Sequence, residues 1–224
     1  MTTSGISDQT SPDSTKLGEW LFRHRTGLPL PIAAAILGLR TGEAAPSVPL
    51  VAAGIAVTVA GELIRLWGVH HIGAISRTRS DRLGPLIDRG PFALVRNPLY
   101  VGNILLWVGF ALSARLVWLA PLAAVLLGAE YHAIVRWEEQ LLASRLGAAY
   151  RAYAARVPRW LPHVRGQTRV RPGSDPGNEA THGSDPGDET TQGAFSWKET
   201  LFSERGTFVA IVLGYLLLWT KARF

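Results

Sequence analysis

The residues of this chain best suited to chemistry fall in two short segments, GPFALVRNPLYVGN (Gly90 to Asn103) and RWEEQLLASRLGAAYRAYAARVPRWLP (Arg136 to Pro162). In the first, Asn97-Pro98 has the form of a helix start, with Asn as N-cap and Pro at the first helical position. The open N–H groups and dipole of such an end favour an anion, and Arg96 stands immediately before it. A planar guanidinium in that place is a receptor for a carboxylate or a phosphate. The plainer reading is that Arg96 marks the cytoplasmic end of a helix and that Tyr100, one turn on, sits in an interfacial aromatic belt. Glu138 and Glu139 are harder to explain as surface residues. Adjacent helical side chains point about 100° apart, so one of the two turns toward protein or membrane, where an acid is a functional candidate. Arg96 is a candidate to neutralise one of them. Glu62 and Arg65 can pair along one helix, and Glu130 and His132 can form a satisfied polar pair.

The elements that must hold these residues are long runs without charge: Thr26 to Leu39, Ala44 to Gly61, Asn97 to Ala114, Leu116 to Val135 (interrupted only by Glu130 and His132) and Gly206 to Thr220. A helix rising about 1.5 Å per residue needs roughly 20 residues to cross the hydrocarbon, and about 17 suffice. The second, third and fourth runs meet that length. The first and last are short, so their flanking Arg and Lys must snorkel or the bilayer must thin. The chain therefore reads as an all-α polytopic membrane protein of about five transmembrane helices. Gly54, Gly61 and Gly68 recur at seven-residue spacing on the second helix, and Gly102 and Gly109 repeat the device on the third. Such stripes let helices approach closely. The third and fourth helices should form a hairpin across Ser113 to Arg115. After them an amphipathic stretch, Arg136 to Val157, should lie on or just under the membrane surface.

Net charge of +6 suggests nucleic acid until the charges are located. Arginines from Arg65 to Arg96 lie between the second and third runs, and those from Arg136 to Arg171 follow the fourth. The opposite loops carry Arg40 and Arg115. This positive-inside pattern places the N-terminus and the site-bearing loops in the cytoplasm and points to membrane lipids as partners, with no nucleic acid. Met1 to Ser14 is polar, without the apolar stretch of a signal peptide. The absence of cysteine excludes disulfides and thiolate metal sites, and no metal centre is expected. Residues 1–16 read as a disordered tail, 17–163 as the membrane core, 164–196 as a low-complexity linker and 197–224 as an appended anchor helix. The linker contains a ten-residue tandem repeat, GSDPGNEATH then GSDPGDETTQ, too polar and Gly/Pro-rich to build a core.

Taken together, GPFALVRNPLYVG, the EE pair at Glu138 and Glu139, and GAAYRAYAARVPR (Gly147 to Arg159) resemble the isoprenylcysteine carboxyl methyltransferase and phospholipid methyltransferase superfamily. Its core has GPY…RHPxYxG before one helix. After a helical hairpin come two adjacent glutamates and then a G-x-x-Y-x-x-Y-x-x-x-VPR stretch. The upstream GELIRLWGVHHIG (Gly61 to Gly73) adds to the likeness, which spans about residues 47 to 162. The resemblance implies an S-adenosylmethionine-dependent enzyme with a cytoplasm-facing pocket and an acceptor that is lipophilic or small and membrane-soluble. It implies that Arg96, Asn97, Pro98, Tyr100 and Gly102 lie along the cofactor and that Glu138 and Glu139 complete its pocket. As catalytic candidates, Arg96 suits a carboxylate of cofactor or substrate, and Glu139 is the base where the acceptor is a thiol, phenol or amine. Two departures stand out. Asn97 replaces the family's usual His and cannot titrate near neutral pH, and Phe92 replaces a Tyr. The rival readings are an NADPH-dependent membrane reductase of the sterol or steroid type and a non-enzymatic membrane scaffold.

Overall fold

A computed structural model of the chain describes residues 12–27, 29–73, 86–162 and 196–223. Among these residues the elements are all helical: α1 (Pro12–His24), α2 (Leu30–Gly38), α3 (Val48–Ile72), α4 (Pro98–Ser113), α5 (Leu119–Arg156) and α6 (Trp197–Arg223). A 3-10 turn, Gly90–Ala93, leads into α4. Three helices, α3, α5 and α6, are long and apolar enough to cross a membrane, and α4 is a shorter apolar helix. The protein is an all-α, membrane-type protein. Apolar side chains such as Ile55, Val59, Leu63, Val209, Val212 and Leu216 are exposed on α3 and α6, as suits helices that face lipid.

The first of the expected spans is built differently. Its charge-free run yields only α2, a nine-residue helix, which rises about 13 Å against a hydrocarbon core of roughly 30 Å. Proline explains the interruption. Pro29 and Pro31 lack the N–H that would continue a helix from α1, and they sit where a new helix can begin. α1 itself opens at Pro12, inside the segment read as a tail. It lies close against α5, where a side chain on Gly18 would stand 2.6 Å from Cβ of Trp137. The repeat linker falls outside the described residues, except for Ser196. Ser196 begins α6 with a capping box: its N–H donates to the Glu199 carboxylate (2.9 Å) and its hydroxyl accepts from the Glu199 N–H (3.3 Å).

The glycine stripes do what their spacing suggested. A Cβ on Gly54 would lie 2.8 Å from the Gly109 carbonyl oxygen, and one on Gly61 would lie 2.7 Å from that of Gly102. α3 and α4 therefore pack antiparallel with their backbones in contact. In lipid, where apolar burial does not drive helices together, close packing of this kind is a main source of association. The α4–α5 hairpin turns through Arg115, whose φ of 62° is unusual for a residue with a side chain. Strain of about 1 kcal/mol or more at such a residue is offset by its ion pair with Glu43. α5 then runs unbroken past Arg136, where a separate surface helix was expected to start. The break comes later, at Gly147, with φ 55° and ψ −124°. Between Arg136 and Gly147 no residue lacks a Cβ or an N–H, so the helix has no reason to stop sooner.

α6 is more than an appended anchor. Its Lys221 ammonium donates to the carbonyl of Ile36 (2.8 Å) at the end of α2 and pairs with Glu43 (3.0 Å) in the α2–α3 loop. Its Tyr215 hydroxyl meets those of Thr58 (2.8 Å) and Ser113 (3.2 Å). Burial of Glu43 opposes its charged form, but the Lys221 hydrogen bond and the charges of Lys221, Arg115 and Arg40 outweigh that, holding the carboxyl below its ordinary value of 4.5. A carboxylate with a depressed folded-state value contributes its full stability above pH 4.5, and loses it as pH falls through the lowered value. In detergent-solubilised protein, wild type should therefore melt above Glu43→Gln at pH 7, by the equivalent of about 1–3 kcal/mol. The gap should close as the pH is taken below 4.5.

Candidate active site

The site forms where the segment before α4 meets the segment after α5. The Arg96 N–H donates to the carbonyl of Pro158 (2.9 Å). The Asn97 amide donates to that of Arg159 (3.2 Å), and the buried Tyr153 hydroxyl donates to that of Phe92 (2.8 Å). Each bond satisfies a carbonyl or an N–H in an irregular stretch, where no helix can do so. This gives a structural meaning to the Tyr and VPR positions of the second motif. It also corrects the reading of Asn97. The residue occupies the N-cap position of α4, but its side chain makes no capping bond to the helix and turns to Arg159 instead.

The two glutamates are held in different ways. Glu139 is gripped bidentately by Arg159, at 3.0 Å from Nε and 2.6 Å from Nη2, and Arg96 lies 3.4 Å from Oε1. A paired fork of this kind is the strongest arrangement a carboxylate finds. Glu138 accepts a single hydrogen bond from the Tyr100 hydroxyl (3.0 Å). Tyr100 is fixed in turn by its ring contact with Tyr131, 4.7 Å between centroids. Arg25, in the turn after α1, brings a further positive charge toward Glu138 and Tyr100. Arg96 leaves one donor without a partner: its Nε is buried and makes no hydrogen bond.

These groups line one end of a cleft of about 1350 Å³. Arg96, Asn97, Pro98, Tyr100, Glu138 and Glu139, all singled out in the sequence, are brought together there. Gly102 is not. It faces α3, where an added side chain would meet the Gly61 carbonyl at 2.6 Å, so it serves helix packing. Glu139, read as a base, is held between the guanidiniums of Arg159 and Arg96. Arg159 and Arg25 went unassigned in the sequence, Arg159 standing within a quoted motif but without a role. Beyond the polar end, the cleft continues between α2, α4 and α6, along apolar side chains such as Ala33, Leu106, Trp107, Phe110 and Leu217.

Comparison with known proteins agrees with the motifs. Residues 50–149 match the family model described as phospholipid methyltransferase. The chain is 29% identical over 154 residues to the nickel-cobalt-cadmium resistance protein NccN of Alcaligenes xylosoxydans xylosoxydans, covering 66% of this chain and 69% of that one. It is 27% identical over 174 residues to the cobalt-zinc-cadmium resistance protein CzcN of Cupriavidus metallidurans, covering 73% and 76%. The matched segment holds Arg96, Tyr100 and both glutamates, whereas Arg159 and α6 lie beyond it. Residues 50–149 are thus similar to the phospholipid methyltransferase family, which belongs to the superfamily of the isoprenylcysteine carboxyl methyltransferases.

Proposed function

We propose that this protein is an S-adenosylmethionine-dependent methyltransferase, acting on a lipophilic or small membrane-soluble acceptor, with its N-terminus and the polar end of the cleft in the cytoplasm. The observation that carries this is the single cleft, polar at the Arg96–Glu138 end and apolar between α2, α4 and α6. The polar end suits the cofactor: the orphaned Nε of Arg96 is a donor for a carboxylate, and Glu138 is an acid for a sulfonium, an amine or a ribose. When bound, S-adenosylmethionine supplies a methyl group on a positively charged sulfur, open to in-line displacement. The protein's share of such a reaction is alignment and the exclusion of water. Tyr100 orients Glu138, and Arg159 with Glu139 fixes Arg96. An acceptor that arrives neutral must give up a proton. Glu138, whose hydrogen bond is to a neutral phenol, is better placed to take it than Glu139. If metal resistance, the trait in the relatives' names, extends to this chain, this reading makes it a consequence of the methylated product.

The test is binding of labelled S-adenosylmethionine to protein in nanodiscs, with NADPH as competitor. Arg96→Ala and Glu138→Ala are compared at matched folding, judged by melting. Saturable binding weakened about tenfold or more in both variants is expected, the equivalent of one hydrogen bond to a charged group in each. Displacement by NADPH alone would move the protein to the reductases, and absence of binding by either cofactor would leave a scaffold.

A further inference from the structure

A second group of polar residues lines the same cleft, away from the glutamates described above. Arg65 on α3, Asn103 on α4, and Glu204 and Thr207 on α6 all face it. Arg65 donates through Nη2 to Oε2 of Glu204 (2.5 Å) and through Nη1 to Oδ1 of Asn103. The Thr207 hydroxyl donates to the same Oε2 of Glu204 (2.9 Å). Asn103 lies three residues beyond Tyr100, about 4.5 Å further along α4 and so deeper from the polar end. Glu62, one turn before Arg65, adds a second carboxylate 3.4 Å from its Nε. Two carboxylates share one guanidinium in the middle of the bundle.

Fixing α6 to α3 needs only the Arg65–Glu204 pair. What remains is an unused acceptor. Both bonds to Glu204 fall on Oε2, so its Oε1 is left to accept another donor, inside a cavity whose neighbouring walls are apolar. A polar oxygen in that setting is expensive unless it is filled. Arg65 already supplies the positive charge paired with Glu204, so the group that fits Oε1 is a neutral donor. Arg65 and Asn103 lie within the residues that match the family model, whereas Glu204 and Thr207 lie on α6, beyond them.

We propose that Arg65, Asn103, Glu204 and Thr207 form a second subsite, which receives a neutral hydrogen-bond donor, a hydroxyl or amide N–H, carried by the acceptor apart from its methylated atom. The proposal rests on the methyltransferase reading for the word acceptor. The subsite itself is defined by its geometry. The acceptor is then an amphiphile with two polar points: one at Glu138, where the methyl group arrives, and one about a helical turn deeper. α6 becomes the wall that selects it.

The test uses a long-chain alcohol carrying a diazirine, photolysed with the full-length protein in nanodiscs, followed by identification of the labelled peptide. Labelling within α4 or α6 is expected near Asn103 and Thr207. The unlabelled alcohol should compete about tenfold better than its methyl ether, which keeps the chain and the oxygen but has no proton to donate; one hydrogen bond to a charged group has that size. Glu204→Gln should erase the difference, because its amide can keep Arg65 bonded while presenting a donor where Oε1 was an acceptor. Equal competition by alcohol and ether in wild type would overturn the subsite, and that comparison needs no variant to fold. A folded Glu204→Gln protein that still prefers the alcohol would overturn it as well. Labelled S-adenosylmethionine binding is measured on the same samples. A preference for the alcohol in protein that binds no S-adenosylmethionine would uphold the subsite while removing the methyltransferase reading.

Discussion

Glu139→Ala is expected to abolish S-adenosylmethionine binding and to lower stability by about 3–5 kcal/mol, the range for stranding a buried charge. Glu139 and Arg96 are each about 14% exposed, and Arg159 donates to this carboxylate through both Nε and Nη2. Removing it leaves two guanidiniums facing each other with no anion between them. The damage should spread through the backbone, because the Arg159 carbonyl holds Asn97 and the neighbouring Pro158 carbonyl holds Arg96. Glu139→Gln keeps the shape and one acceptor but not the charge, and should fall between alanine and wild type. Melting in detergent and labelled-cofactor binding, measured together, separate the outcomes. Lost binding with unchanged melting would mean that the carboxylate acts on the ligand and not on its arginines.

Gly61→Leu should be as severe, for a reason that involves no charge. The first carbon of the new side chain would sit 2.7 Å from the Gly102 carbonyl and 3.0 Å from the Leu106 nitrogen. Both are backbone atoms of α4, so relief requires the helices to part. Overpacking costs about 1–3 kcal/mol when side chains can shift, and about 3 kcal/mol or more is expected where they cannot. Gly128→Ala is the matched control. Its Cβ would meet nothing within 4 Å, and the helix gains up to about 1 kcal/mol of propensity. A Gly61→Leu protein that melts with wild type would show that the α3–α4 contact is looser than its geometry.

Much of the site was legible because it is built on local patterns. The charge-free runs mark α3, α4 and α5 by length alone, and the glycine spacing marks the faces on which α3 and α4 meet. The pairing of Glu62 with Arg65 follows from a separation of one helical turn. The motifs also placed Arg96, Tyr100, Glu138 and Glu139 in a common pocket, through resemblance and not through any spacing that shows contact. What escaped depends on partners far along the chain. Arg159 is the main partner of Glu139, yet no rule of spacing joins residues across the break at Gly147. Asn97 has the residue type and position of a cap, and only the nearby Arg159 carbonyl draws its side chain away. α6 read as an isolated anchor because its polar residues are individually unremarkable, and Glu204 acquires meaning only beside Arg65.

The distances along the chain also set an order of assembly. Gly61 meets Gly102 within the first half of the sequence, the Tyr153–Phe92 bond spans 61 residues, and Arg65 must wait for a partner 139 residues later. A chain emerging from the ribosome therefore pairs α3 with α4, closes the Arg96–Glu139 cluster once Arg159 is made, and receives α6 last. During that interval Arg65 sits in the membrane without Glu204. Glu62, on its own helix and three residues away, is the counter-ion available from the start. The arginine thus has one glutamate beside it during synthesis and gains the other on completion, so it has a counter-ion at both stages.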